Sequence, residues 1–169
     1  LTSPWHHLFF GPDTAKYQLY HAEDSLSFLP YGCLVDEFQQ IMYQQPHLTP
    51  DERNQVWLEL EHKYRPWIDF DNLPFYGRGA GWQRQLHIYE CPFYYIDYCL
   101  AQTVALQFFA AHLADPKDAW QRYLALVRQA GTASYPQLVK AAGLAVPFED
   151  GSLAPVAHTV AQWIAEHQV

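Results

Sequence analysis

The chain has 169 residues, a length that suits one domain with a sizeable hydrophobic core. Half of the residues are hydrophobic and only 17% are charged, so much of the chain is expected to be buried or to face a partner. A formal net charge of −8 without a basic stripe excludes a typical nucleic-acid or anionic-membrane binder. No apolar run reaches the roughly 18 residues of a membrane-spanning helix, so we expect a soluble protein.

Helical patterns begin near the start of the chain. Aromatic and apolar residues recur at three-to-four spacing over Ala15–Leu29, which predicts a first helix. The segment Pro30–Gly32 is expected to interrupt it, and a second helix is predicted over Cys33–Gln45. Pro46 then ends that helix, because proline lacks the amide hydrogen that a helix interior needs.

The next segment combines a clear helix start with an unusual loop. Thr49 is a typical N-cap before Pro50–Tyr64, a helix with proline at its first position and acids in its first turn. A long loop rich in aromatics and glycine is predicted over Arg65–Gly81. Within it, Gly79 and Gly81 either allow the backbone to approach a ligand closely or form a structural turn.

Helices also dominate the rest of the chain. They are predicted over Pro116–Gln129, from the Ser134 cap to Ala142, and over Pro155–Glu166. No internal repeat and no alternating strand pattern is present. The sequence therefore predicts an all-α fold, with residues 1–169 forming a single helical region.

One segment carries most of the candidate chemistry. Treated as a helix of roughly 100° per residue, residues 87–102 place several polar side chains and a thiol within about a third of its circumference. Pro92 either kinks this helix or marks its start. The side chains that share the face are His87, Cys91, Tyr94, Tyr95, Tyr98 and Gln102.

Two interpretations of this face remain open. In the first, the tyrosine rings fill the core and their hydroxyls bond to nearby partners. In the second, imidazole, phenol and amide groups line a cleft and donate hydrogen bonds to a peptide or to a developing oxyanion. Tyrosine suits the second role because its hydroxyl stays protonated at neutral pH.

Metal and thiol chemistry have little support in the sequence. Nine histidines are present, but no His-Glu-x-x-His motif occurs, and the Glu59–His62 segment contains a single Glu-x-x-His with His62 expected on a solvated face. Cys33, Cys91 and Cys99 each lie in an apolar or aromatic context. We expect buried free thiols, and hence a reducing, cytoplasmic setting.

The run from His87 to Gln102 (HIYECPFYYIDYCLAQ) closely resembles a signature of the oligoendopeptidase F family of zinc metallopeptidases, within the thimet oligopeptidase-like superfamily. The blocks Leu29–Gly32 with Val35–Gln39, and Pro147–Gly151, resemble the same family in the same order. The resemblance covers nearly the whole chain. It implies an all-α zinc metalloendopeptidase that cleaves short peptides in a deep channel.

The resemblance also implies roles for individual residues. His87 matches the catalytic His that helps to stabilise the tetrahedral oxyanion and hold substrate. The matching tyrosines fall among Tyr94, Tyr95 and Tyr98, and Tyr95 with Tyr98 are the preferred catalytic pair. We expect substrate binding by Tyr94, Gln102, Gly79 and Gly81. The zinc ligands of the family lie on a His-Glu-x-x-His helix and a downstream glutamate, which have no counterpart here.

The missing zinc motif leads to two hypotheses. In the first, the chain is a C-terminal fragment of a zinc-dependent oligoendopeptidase, binds no zinc and is inactive alone. Its partners would be short peptides and the remaining part of the enzyme, with exposed Trp5, Phe9 and Phe10 favouring self-association. In the second, the chain is a stand-alone, non-catalytic peptide-binding or adaptor module that uses the same fold.

Overall fold

The computed structural model describes residues 2–70 and 72–169; Leu1 and Asp71, the latter in the predicted loop, lie outside the described residues. The described part consists of helices and connecting turns without any strand, which confirms the predicted all-α fold. Short 3-10 turns occur at Ser3–Trp5, Gly11–Asp13 and Ala80–Arg84. The α-helices are α1 (His7–Phe10), α2 (Thr14–Gln44), α3 (Pro50–Tyr64), α4 (His87–Glu90), α5 (Ile96–Ala114), α6 (Pro116–Arg128), α7 (Tyr135–Ala141) and α8 (Ala154–Glu166).

The helices form two compact units. The first unit contains Leu1–Leu26 and Leu100–Val169, and the second unit contains Ser27–Cys99. The boundaries between them fall within α2 and α5. The sequence predicts that residues 1–169 form a single helical region, and this stays a prediction.

Local capping signals place several helices within a residue or two of their predicted bounds. At the start of α3 the Thr49 hydroxyl accepts a hydrogen bond from the Glu52 amide, and the Glu52 carboxylate accepts one from the Thr49 amide. Asp115 caps α6 in a similar way, and a capping box at Ser134 precedes α7. These side chains satisfy amides that a helix leaves unpaired at its N-terminus.

The predicted interruption at Pro30–Gly32 was wrong, because α2 continues through Pro30. A proline inside a helix costs roughly 3 kcal/mol. Burying Leu34, Val35 and Phe38, which are all fully inaccessible, contributes about 1.5–3 kcal/mol for each side chain. Tertiary packing therefore outweighs the local penalty, and α2 ends only at Gln44, before Pro46 as predicted.

The core of the second unit is built around Trp57 of α3. Its ring meets the Phe38 ring edge-on at a centroid distance of 5.1 Å and the Tyr31 ring at 6.4 Å. Its indole Nε1–H donates to the Glu61 carboxylate at 3.0 Å. Arg65, one turn later, binds the same carboxylate through three contacts of 2.6–2.8 Å. A buried carboxylate is tolerated here because it has both a cation and an N–H donor.

A separate core holds the first unit together. Arg122 of α6 donates to the carbonyls of Ala142 and Gly143 at the end of α7, at 2.8 Å each. The Ala142 carbonyl, at the C-cap, is one that α7 leaves unpaired at its C-terminus. The buried side chains of this core are Phe108, Val139, Ala142, Leu144 and Val146.

The Arg65–Glu61 pair generates a stability prediction. The Glu61 side chain is only 4% exposed and that of Arg65 is 19% exposed. Arg65→Met leaves the Glu61 carboxylate buried without a cation, so we expect a loss of about 3–5 kcal/mol in the free energy of unfolding, measured by urea denaturation.

Lys63→Met is the matched control, because Lys63 forms a more exposed pair with Glu37, with side chains 57% and 33% exposed. We expect this variant to lose no more than about 1 kcal/mol. Equal losses in the two variants would contradict the role given to the buried pair.

Candidate functional site

The segment predicted as one helix over residues 87–102 is two helices with a break between them. The four-residue helix α4 ends at Glu90, and α5 begins at Ile96. Pro92 therefore neither kinks a continuous helix nor starts α5, and this part of the prediction was wrong. The reason lies at Phe93, which adopts a positive φ of 64° and donates its amide to the Gln39 side chain at 2.8 Å. That bond from α2 stabilises a conformation that non-glycine residues rarely adopt.

The break nevertheless brings four of the predicted side chains together. The His87 ring meets the Tyr95 and Tyr98 rings edge-on, at centroid distances of 5.0 Å and 5.6 Å. Tyr98 also packs against Tyr94 at 5.3 Å and against Tyr95 at 5.5 Å. We call His87, Tyr94, Tyr95 and Tyr98 the His–Tyr cluster. It lies entirely within the second unit.

Exposure divides the tyrosines of the His–Tyr cluster. Tyr95 is 9% exposed and packs against Phe28 and Tyr31, as in the core-filling interpretation. Tyr94 and Tyr98 are 49% and 40% exposed, so their hydroxyls can reach a bound molecule.

Burial raises the pKa of Tyr95 above its usual range. Desolvation and the neighbouring Tyr94 hydroxyl raise that of Tyr98. Both phenols therefore stay protonated at neutral pH.

A hydrogen-bonded chain behind His87 was not found by sequence reasoning. The Tyr31 hydroxyl donates to Gln85 Oε1 at 2.7 Å, and burial raises the pKa of Tyr31 to about 12, which keeps it a donor. The Gln85 amide nitrogen then faces His87 Nδ1 at 2.8 Å. Because an amide NH₂ can only donate, Nδ1 accepts, and the neutral imidazole carries its proton on Nε2.

This tautomer matters because His87 Nε2 faces Tyr98. The two polar atoms lie 3.4 Å apart, so Nε2–H is directed toward the phenol oxygen. The phenol hydrogen is then free to point elsewhere. Gln85 is close to His87 in sequence, but its link to Tyr31 spans 54 positions, and no local pattern reveals it.

The two glycines predicted near a ligand approach the protein's own α3. A Cβ atom on Gly79 would lie 1.9 Å from the Asn54 carbonyl oxygen, and Gly79 has a positive φ of 76°. A Cβ atom on Gly81 would lie 2.7 Å from Trp57 Nε1. Packing of the loop against α3 thus accounts for both glycines. Their role in substrate binding stays a prediction.

Gln102 lies in the first unit, where it lines a cavity of about 440 Å³. Four histidines share this cavity: His6, His21, His112 and His167. The Nδ1 atoms of His6 and His112 are buried and have no hydrogen-bond partner among the described residues. Burial lowers the pKa of both imidazoles, which favours their neutral forms. The cavity therefore holds two buried imidazoles, His6 and His112, whose neutral forms are favoured.

The three cysteines are free thiols, as predicted, but their burial differs. Cys99 is buried and Cys33 is partly buried. Cys91 is exposed, so the expectation of a buried thiol was wrong there, because Cys91 follows the last turn of α4 in the segment that Pro92 breaks.

The remaining surface observations concern metals, aromatics and membranes. No group of three or more His, Cys, Asp or Glu residues in the described chain could hold a metal ion. His62 is exposed, as predicted. The expected exposure of Trp5, Phe9 and Phe10 is confirmed. None of the helices among the described residues combines the length and the hydropathy of a membrane-spanning segment.

Comparison with solved structures gives three strong matches. The chain is 47% identical to a protein described as an oligoendopeptidase F, over 97% of this chain and 29% of the other, with a TM-score of 0.91. It is 48% identical to PZ peptidase A, solved with an inhibitor, over 98% and 29% of the two chains, with a TM-score of 0.92. A protein from Bacillus anthracis strain Ames, also described as an oligoendopeptidase F, is 37% identical over 98% and 26%, with a TM-score of 0.79.

These matches confirm the resemblance to oligoendopeptidase F that the sequence predicts. The chain spans less than a third of the length of each of these proteins. No protein-family model matches the sequence, and a comparison with curated proteins gave no match.

The hydrogen bond from the Gln85 amide to His87 Nδ1 generates a prediction about the His87 tautomer. In Gln85→Glu the carboxylate can only accept, so the His87 proton is expected to move to Nδ1 while Tyr31 still donates to residue 85. Long-range ¹H–¹⁵N correlation spectra of the 169-residue chain, at a pH where the ring is neutral, measure this change. Gln129→Glu, an exposed change at the end of α6, is the control and is expected to leave the His87 signals unchanged. Identical His87 spectra in the unmodified chain, Gln85→Glu and Gln129→Glu would contradict the hydrogen bond from Gln85 to His87.

Proposed function

We propose that this chain is the C-terminal part of the catalytic region of a zinc-dependent oligoendopeptidase, a hydrolase that cleaves short peptides. The observation that carries this proposal is the similarity to oligoendopeptidase F and PZ peptidase A over nearly the whole chain. In this proposal the protein is a metalloendopeptidase active in proteolysis, and its partners are peptides and the remaining polypeptide. A cytoplasmic setting is part of the proposal and is supported by the three free thiols.

The His–Tyr cluster supplies the catalytic contribution of this chain. Attack on a peptide carbonyl develops negative charge on its oxygen, and preorganised neutral donors stabilise that charge. Tyr98 combines an exposed hydroxyl with a raised pKa, so it keeps its proton to donate. His87 directs Nε2–H toward the Tyr98 oxygen, which makes the phenol hydrogen a stronger donor through a cooperative hydrogen bond.

The other predicted residues have supporting roles in this proposal. Tyr95 is the third catalytic side chain, but its burial favours contribution by packing against His87 and Tyr98. Tyr94 is exposed and can hydrogen-bond a peptide backbone. Substrate binding by Gly79 and Gly81 of the second unit, and by Gln102 of the first unit, is proposed for each unit by itself.

The residues of this chain do not fit a catalytic zinc site. Such a site needs three protein ligands, and no suitable group of three exists in the described part of the chain. The sequence also has no His-Glu-x-x-His motif. We therefore propose that the zinc ligands lie elsewhere in a longer polypeptide and that this chain alone is inactive.

A surface for that longer polypeptide is available in the first unit. Trp5, Leu8 and Phe9 are each more than half exposed, although large apolar side chains are usually buried. We propose that these residues contact the rest of the enzyme. In the isolated chain the same surface would favour self-association.

The second candidate function is a non-catalytic peptide-binding module. The observation that favours it is the pair of exposed donors, Tyr94 and Tyr98, in a chain whose described part offers no metal ligand set. Such a module would hold an extended peptide through neutral hydrogen bonds and release it unchanged.

We expect the isolated 169-residue chain to retain no zinc after dialysis and to leave an internally quenched peptide intact. Metal analysis and fluorescence measure the two results, and the same peptide with PZ peptidase A serves as the positive control for the assay. Zinc-dependent cleavage by the purified chain would overturn the proposal that this chain alone binds no zinc and is inactive.

A chimera tests the catalytic role directly. We expect PZ peptidase A to stay active when its matching segment is replaced by this chain, which is 48% identical to it. In that chimera His87→Ala and Tyr98→Phe are expected to lower kcat by about 10²–10³-fold with a small change in KM, because each removes a donor used in the transition state.

Tyr20→Phe is the control in the chimera, because Tyr20 is exposed and lies outside the His–Tyr cluster. We expect it to leave kcat unchanged. Equal kcat values for Tyr98→Phe and Tyr20→Phe would argue against a catalytic His–Tyr cluster. An inactive chimera, combined with peptide binding by the isolated chain, would favour the binding module.

A further inference from the structure

A buried amide on α2 contacts the chain break beside the His–Tyr cluster. Gln39 is 1% exposed and follows Phe38, which is fully buried in the core of the second unit. Its oxygen Oε1 accepts the Phe93 amide hydrogen at 2.8 Å, and its nitrogen Nε2 donates to the Val35 carbonyl at 3.4 Å. A buried amide is costly without hydrogen-bond partners, so these two bonds fix the orientation of the Gln39 side chain.

Phe93 occupies a turn position that normally requires glycine. The Tyr94 amide donates to the Cys91 carbonyl at 3.2 Å and closes a turn with Pro92 at its second position and Phe93 at its third. Turns with a positive φ at the third position usually have glycine there, but Phe93 has a φ of 64°. In the described part of the chain, Phe93 is the only residue other than glycine with a positive φ.

The hydrogen bond to Gln39 offsets the cost of this conformation. The exposed Phe93 ring packs against the exposed Tyr43 ring at a centroid distance of 4.8 Å, so burial of the ring does not explain the positive φ. The Phe93 amide, in contrast, is bonded to a side chain that is held inside the core. The turn is thereby attached to α2 through its backbone.

The turn at Phe93 is what allows His87 to contact the tyrosines that follow it. Tyr98 lies 11 positions after His87, which in an uninterrupted helix would separate them by about 16 Å along the axis. The His87 ring instead lies 5.6 Å from the Tyr98 ring and 5.0 Å from the Tyr95 ring. Sharing one face of a helix would not bring these side chains together, so the change of chain direction is required.

We propose that Gln39 is a positioning residue of the His–Tyr cluster. Its buried oxygen holds Phe93 in the conformation that brings Tyr95 and Tyr98 onto His87. The catalytic meaning of this role rests on the function proposed above for the cluster. Because Gln39 is almost completely buried, it acts through the turn and not by touching a peptide.

Gln39→Met tests this role, because methionine is similarly long and unbranched but is only a weak acceptor. NMR cross-peaks between the His87 ring and the Tyr95 and Tyr98 rings measure the contacts in the 169-residue chain. We expect them to weaken by about fivefold or more, the factor that one hydrogen bond of ordinary strength contributes to an equilibrium. Gln40→Met is the matched control and is expected to leave them unchanged, because Gln40 is the next residue of α2 and is exposed.

Glycine at position 93 separates positioning by Gln39 from a general effect on core packing. Glycine adopts a positive φ about as readily as a negative one, so the turn in Phe93→Gly needs no support from α2. We expect Phe93→Gly alone to keep the cross-peaks. The double variant Gln39→Met, Phe93→Gly is expected to regain them, whereas a defect in core packing would not be rescued by this change.

Two results would overturn the proposal. Cross-peaks that are unchanged in Gln39→Met would show that the cluster does not depend on the amide, and cross-peaks that stay weak in the double variant would show that Gln39 does not act through Phe93. If Gln39→Met does not fold, the double variant is still expected to fold. A double variant that also fails to fold would overturn the proposal, because the core and not the turn would then need the amide.

The chimera with PZ peptidase A relates the positioning role to catalysis. We expect Gln39→Met to lower kcat with a small change in KM, and the added Phe93→Gly to restore kcat. A lowered kcat in Tyr98→Phe with an unchanged kcat in Gln39→Met would overturn the positioning role. If Tyr98→Phe leaves kcat unchanged while the cross-peaks respond as expected, the proposed function fails and positioning by Gln39 stands.

Discussion

The indole N–H of Trp57 imposes the constraint on which the second unit depends. A fully buried N–H must have an acceptor, and the structure supplies the Glu61 carboxylate at 3.0 Å. That choice introduces a charge into the core, and Arg65 neutralises it through a two-pronged contact. Around this fixed ring pack Phe38 and Tyr31, and the loop at Gly81 passes close to the indole because glycine has no Cβ. The core and the loop therefore both pack against one indole ring, and a satisfied hydrogen bond holds that ring in place.

The same core extends toward the surface through polar atoms. Tyr31 contacts Trp57 with its ring and Gln85 with its hydroxyl. Gln85 orients His87, and His87 in turn faces Tyr98. The exposed Tyr98 hydroxyl is thus connected to the buried Trp57 ring through three intermediate side chains. Such support from behind is what holds a hydrogen-bond donor in place before a ligand arrives.

Features that depend on neighbouring residues could be predicted from the sequence, and features that depend on distant ones could not. The start of α3 follows from the Thr49 cap and the start of α6 from Asp115, because both signals lie within one turn of the helix they begin. The continuity of α2 through Pro30 could not be predicted, since it depends on burial against other elements. The helix break near Pro92 is stabilised by Gln39, which lies 54 positions from Phe93. The family resemblance identified the residues of the His–Tyr cluster, yet only the three-dimensional structure separates buried Tyr95 from exposed Tyr94 and Tyr98.

A close contact at Gly32 of α2 restricts how this part of the chain can evolve, because a Cβ atom there would lie 2.0 Å from Cys99 Sγ. Because one sulfur atom occupies the space where a side chain at position 32 would begin, the two positions cannot change independently. A bulkier residue at position 99 has no room to enter, and a residue with a Cβ at position 32 requires a smaller partner or a wider helix spacing. Evolutionary substitutions at positions 32 and 99 must therefore be paired or matched in size. The same restriction applies to the backbone around Tyr98, which precedes position 99 in α5, and around Tyr95, which directly precedes this helix.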